Sequence, residues 1–157
     1  MIRQFQFEAE VYQSLSCVPM TARRKLDRLG IKLSLQQWQQ LGRGERLMIC
    51  HAPAASAEEC EALSLFVEEA IVGRCGSPPR HLPEQGRKAA EPPSFPPPRV
   101  VANAQALGVA LSAGDWQRLD DDQRYALIKL GDVEQPSHNF KPALAEFLPN
   151  NGSTVSA

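Results

Sequence analysis

Four cysteines (Cys17, Cys50, Cys60, Cys75) and three histidines (His51, His81, His138) have the widest chemical reach in this chain. Together they would supply ligands for zinc or an iron–sulfur cluster. Such sites usually draw ligands in close pairs, C-x-x-C above all, because one turn then presents two thiolates to the metal. No such pair occurs, and Cys50-His51 is the only adjacent couple. Cys60 falls on an apolar helical stripe, where a reduced cysteine behaves as a small hydrophobe. The spacing therefore argues against a metal site and leaves a Cys/His metal carrier as an alternative reading.

Nucleophilic catalysis lacks a frame as well, since no G-x-S-x-G or similar arrangement surrounds a serine or cysteine. Asp120-Asp121-Asp122 lacks the alternating oxygen ligands and central glycine of a calcium loop, and reads instead as a helix start with acids in its first turn. No glycine-rich phosphate loop is present. The expectation is a non-enzyme without catalytic, cofactor or metal residues. A helix-turn-helix nucleic-acid binder is the other alternative. Its candidate recognition helix, Leu35 to Leu41 (LQQWQQL), carries four glutamines and no positive charge, so it does not suit a DNA groove.

The elements that would position these residues are written twice. A shift of 78 positions lays Leu29–Arg46 on Leu107–Arg124 with eight identities in eighteen positions, among them Gly30/Gly108, Ser34/Ser112, Trp38/Trp116 and Arg46/Arg124. Gly30 and Gly108 follow helical segments at the place where a left-handed residue ends a helix. Ser34 and Ser112 are helix caps, with Gln37 and Asp115 three residues on in the reciprocal position; Asp120 with Gln123, and more weakly Gly42 with Glu45, repeat the signature. Trp38 and Trp116 then read as core anchors. Ser56 to Glu59 caps another helix, on which Cys60, Leu63, Val67, Ala70 and Ile71 recur every three or four residues, the best amphipathic pattern in the chain. That helix should end near Gly73 or Gly76. Phe5 and Phe7 alternate with polar residues and suggest a short extended segment, and Lys141–Leu148 a short helix with Pro142 in its first turn. The links 31–33 and 109–111 each place two apolar residues at strand spacing, and would pair with each other in a very short ladder.

The predicted fold is an all-α bundle of two similar helix-turn-helix-like halves, with at most very short β pairing. One helical domain would span 1–148, with the repeat at 19–51 and 97–130 and a flexible tail at 149–157. Eight of the 13 prolines fall between Pro78 and Pro98. Because proline lacks the amide donor that helices and strands use, residues 77–98 read as a connector between the halves. Over 157 residues the net charge is -1, so no global excess recruits nucleic acid or an anionic membrane. Locally the charge is +4 over residues 1–51, -3 over 52–98 and -2 over 99–157. No run approaches the roughly 18 apolar residues of a membrane-spanning helix. The polar start MIRQFQFEAE lacks a secretory apolar stretch, so a cytoplasmic location is expected.

The ordered string FQFEAEVYQSLSCVPMTARRKLDRLGIKLSLQQWQQLGRGER resembles the start of the nitrate reductase-associated protein family, small accessory proteins of bacterial assimilatory nitrate reductases. Phe5, Phe7, Glu8, Cys17, Pro19, Met20, Arg23, Lys25, Asp27, Gly30, Lys32 and Trp38 carry much of the likeness. Arg124, Ala126–Leu130, then Asn139, Phe140, Pro142 and Phe147 resemble the family's C-terminal pattern. The resemblance implies a non-enzymatic accessory or assembly factor that supports a cytoplasmic molybdenum nitrate reductase through protein contact. Nitrate reductase is then the partner, with no nucleic acid or membrane expected and no resident cofactor. Polar residues that capping and packing leave unexplained are the docking candidates: Arg23, Lys25, Asp27 and Lys32 in the first block, Lys129, His138 and Asn139 in the second. Cys17 reads either as a small buried residue or as a thiol at the partner surface.

Overall fold

The computed structural model describes residues 2–151. Helices make up 61% of it, and among the described residues a two-stranded antiparallel pair is the only sheet, so the fold is all-α as expected. The chain divides into two compact units. The first holds Glu8–Ala90 with the stretch before Phe5; the second holds Phe5–Phe7 with the chain from Glu91 onward.

The first unit runs α1 (Ala9–Ser14), α2 (Met20–Leu29), β1 (Ile31–Lys32), α3 (Leu35–Gln40), α4 (Arg43–His51), α5 (Ala57–Cys75), β2 (Arg80–His81) and α6 (Glu84–Lys88). Helix α2 buries Ala22, Leu26 and Leu29 at spacings of four and three and turns Arg23 to solvent. It stops at Gly30, where φ is +73° and the Arg87 guanidinium packs so closely that a Cβ would lie 2.2 Å from its Nε. The reciprocal cap of α3 forms as expected: Gln37 N donates to Ser34 Oγ at 3.1 Å and Ser34 N to Gln37 Oε1 at 3.0 Å. Gly42 N donates to Glu45 Oε1 at 2.7 Å, and Ser56 Oγ accepts from Glu59 N at 3.1 Å. Trp38, fully buried, seals a core of Leu15, Leu26, Ile49, Val67 and Ile71. Its indole N–H donates to the Leu15 carbonyl at 2.7 Å, and Arg46 Nη1 reaches the same oxygen at 3.2 Å. Leu15 needs that support, because it is a buried leucine in the left-handed region with φ +51°.

The second unit runs α7 (Pro98–Ala106), α8 (Ala113–Arg118), α9 (Asp121–Gly131) and α10 (Phe140–Phe147). Capping boxes start α8 at Ser112 with Asp115 and α9 at Asp120 with Gln123. Trp116 is fully buried and donates to the Pro93 carbonyl at 2.9 Å, the same 23-residue reach as Trp38 to Leu15. Phe5 stacks on Phe7 at 5.6 Å, and both meet the Phe147 ring edge-on at 5.1 and 5.9 Å. Pro142 sits in the first turn of α10.

Several expectations change. The link 31–33 does not pair with 109–111; Ile31 pairs with His81 and Lys32 with Arg80. Val109 is unavailable because its N–H closes α7, donating to Ala104 O at 3.0 Å while Gly108, φ +83°, donates to Gln105. The stretch 77–98 is more than a connector: Arg80-His81 keeps its amide donors between Pro79 and Pro83, and α6 starts directly after Pro83. Residues Gln6–Glu8 form a 3-10 turn rather than an extended segment, since two alternating phenylalanines are too few to fix a strand. Helix α5 ends at Gly76 and buries Leu63, Val67 and Ile71, yet it also exposes Leu65 and Val72. The cleaner separation of apolar and polar faces belongs to α2. Asn151 Nδ2 is held by Ala110 O at 3.0 Å and Asp115 Oδ2 at 2.7 Å; the rest of the expected tail, 152–157, lies outside the described residues.

Candidate functional site

Most of the basic excess at the start of the chain is used inside the first unit, as donors to backbone carbonyls. Lys25 Nζ donates to Ile49 O, Cys50 O and Ala52 O at 2.7, 2.7 and 2.6 Å, closing the C-terminus of α4. Arg24 Nε donates to Ala90 O at 2.7 Å and Arg28 Nη1 to Ala54 O at 3.2 Å. Arg46 spreads over Leu41 O, Leu15 O and Gln39 O. Lys25 therefore has a capping role, the property whose absence made it a docking candidate.

The other candidates are dispersed. Arg23 and Lys32 are exposed, and Asp27 is buried. In the second unit Lys129 stands over the Tyr125 ring, 5.4 Å from its centroid, His138 is exposed and Asn139 is half-buried at the start of α10. Cys17 is exposed, which removes the buried reading and leaves its thiol at the surface.

In the first unit the half-buried Lys25 lies with the buried Glu8 and Cys50. Glu8 accepts from Tyr12 Oη at 2.6 Å and takes the Met20 amide on both oxygens at 3.0 and 3.2 Å, capping α2 from outside the helix. Burial pushes the Cys50 thiol up to about 11, with Lys25 opposing the rise and Glu8 adding to it. Burial likewise draws the Lys25 ammonium below its ordinary range, with Cys50 acting the other way. A thiol held protonated is a poor nucleophile and metal ligand. Among the described residues no three His, Cys, Asp or Glu side chains are grouped to hold a metal ion.

An open cleft of about 480 Å³ lies where β1, β2, α3 and the end of α5 meet. Its cations are Lys32, Arg74 and Arg80, and Gln36, Gln37 and Gln40 supply amides. Among the described residues no carboxylate lines it, although Glu45 Oε1 pairs with Arg74 Nε at 3.0 Å. Lys32 was legible as a candidate from the sequence. Arg74 and Arg80 were not, because the β1–β2 register that brings Arg80 opposite Lys32 joins segments 48 positions apart.

The family model described as conserved nitrate reductase-associated protein matches residues 4–147 of the chain. No curated protein and no solved structure matches it. No helix among the described residues is long and apolar enough to cross a membrane.

Proposed function

Because the chain belongs to the conserved nitrate reductase-associated protein family, we propose that it is a non-enzymatic accessory or assembly factor that supports a cytoplasmic molybdenum nitrate reductase by direct protein contact. The family match across residues 4–147 carries this reading. Exposed polar side chains not engaged in capping are the means of contact, with Arg23 and Lys32 in the first unit and His138 in the second. The exposed Cys17 thiol belongs to the same surface chemistry.

Affinity-tagged protein expressed beside the reductase should retain it at low ionic strength and release it as salt rises, because exposed charge pairs are screened within roughly 10 Å at 0.1 M. Arg23→Glu should weaken retention without changing the melting temperature. Failure to retain the reductase at low salt would retire the proposal.

A further inference from the structure

We propose that the cleft formed by Lys32, Arg74 and Arg80 is a receptor for an acidic peptide segment of a partner protein, recognised through Asp and Glu carboxylates. The inference deepens the docking reading and rests on it for the partner's identity.

The register of the β pair is the first observation. Lys32 and Arg80 are direct cross-strand partners, two like charges set opposite each other in a ladder only two residues long. Such a pair works against strand pairing, and both side chains are exposed. Neither has an ion pair among the described residues. A bound anion converts that repulsion into a two-pronged clamp.

The lining is the second. Arg74 adds a third cation from the end of α5, and its own partner Glu45 engages the Nε edge, leaving its terminal nitrogens. Glutamine amides from α3 face guanidinium and ammonium groups across the cleft. Guanidinium forks and amides together suit carboxylates and the peptide groups between them. The lining side chains are mainly cations and amides, with Ser34, Ser77 and Cys75 between them.

The test uses the full chain and a fluorescein-labelled ten-residue peptide of alternating Asp and Glu, followed by anisotropy at low salt. Lys32→Gln with Arg80→Gln should weaken peptide binding about tenfold, the scale of two partly exposed charge contacts. The charge-matched pair Arg99→Gln and Lys141→Gln, outside the cleft, should bind within about twofold of wild type. The cleft variant should melt at the wild-type temperature or above it, because cross-strand repulsion is relieved. Equal peptide binding by the cleft variant and wild type would overturn the proposal. So would a lower melting temperature, which marks the two cations as structural. Saturable binding of inorganic phosphate with no binding of the peptide would overturn it in favour of a small-oxyanion site. Peptide binding lost in the cleft variant, with the reductase never retained by any form, would support the cleft and reject the proposed reductase partner.

Discussion

The Lys25 ammonium lies 2.6 Å from the carbonyl oxygen of Ala52, the residue that ends α4. With Ile49 and Cys50 also accepting, one side chain satisfies three carbonyls at a helix end. Lys25→Met should therefore lose about 2 kcal/mol in urea unfolding, the usual range for hydrogen bonds made by a charged group. Arg23→Ala, two residues earlier and exposed, should change stability by less than about 0.5 kcal/mol. Equal stability of the two variants would refute the capping role.

The thiols should separate by environment. Cys17 is exposed and should react readily with a disulfide reagent at pH 8 in the native protein. Cys50 is buried with its thiol raised to about 11, so it stays protonated at pH 8 and should react only on unfolding. Mass spectrometry of briefly labelled protein reads the difference. Early labelling of Cys50 would contradict its placement.

Asp115 links acid stability to the second unit. Hydrogen bonds from the Ser112 backbone, then from the Ser112 hydroxyl and Asn151, together with the Arg118 charge, hold its carboxyl below the ordinary range, against the opposing effect of burial. A carboxyl depressed in the folded state stabilises above its unfolded pKa, and that contribution disappears as pH falls through the folded value. Asp115→Asn should thus cost about 1 to 2 kcal/mol at pH 7, with the gap from wild type closing below pH ~3.8. A gap that persists unchanged at acid pH would exclude the charge as its source.

Gly30 answers to two constraints at once. A Cβ there would meet the Arg87 guanidinium and would also force an L-residue to φ +73°. Gly30→Ala should destabilise by about 1 to 2 kcal/mol. Adding Arg87→Ala clears the space but not the backbone strain, so the double variant should recover only part of the loss. Full recovery would assign the whole effect to the clash.

What the sequence disclosed follows from distance along the chain. The caps at Ser34, Ser56, Ser112 and Asp120 use a partner three residues away, and each was readable from spacing alone. The caps made by Glu8 on α2 and Lys25 on α4 reach 12 and up to 27 residues, so only the fold reveals them. Both residues carry family likeness, and from sequence alone Lys25 reads as a docking residue because its structural use depends on the fold. The cleft was half legible for the same reason: Lys32 stood in a basic run, whereas Arg80 lay in a proline-rich stretch that offered no hint of strand pairing. The all-α class was the easiest inference, since it depends on periodicity rather than on long-range partners.

Phe5 and Phe7 belong with Phe147 in the second unit, although residues 8–90 intervene as the first. During synthesis Phe5 and Phe7 leave the ribosome before the whole of residues 8–90, and Phe147 after them. The second unit must therefore complete its packing only after residue 147 has emerged, a late closure that the first unit is not obliged to share. The same threading means that a single cut at residue 90 does not yield two intact pieces. A fragment beginning at Glu91 would carry Phe147 without the rings that meet it, and dissecting this protein calls for a circular permutant that returns residues 5–7 to the C-terminal piece.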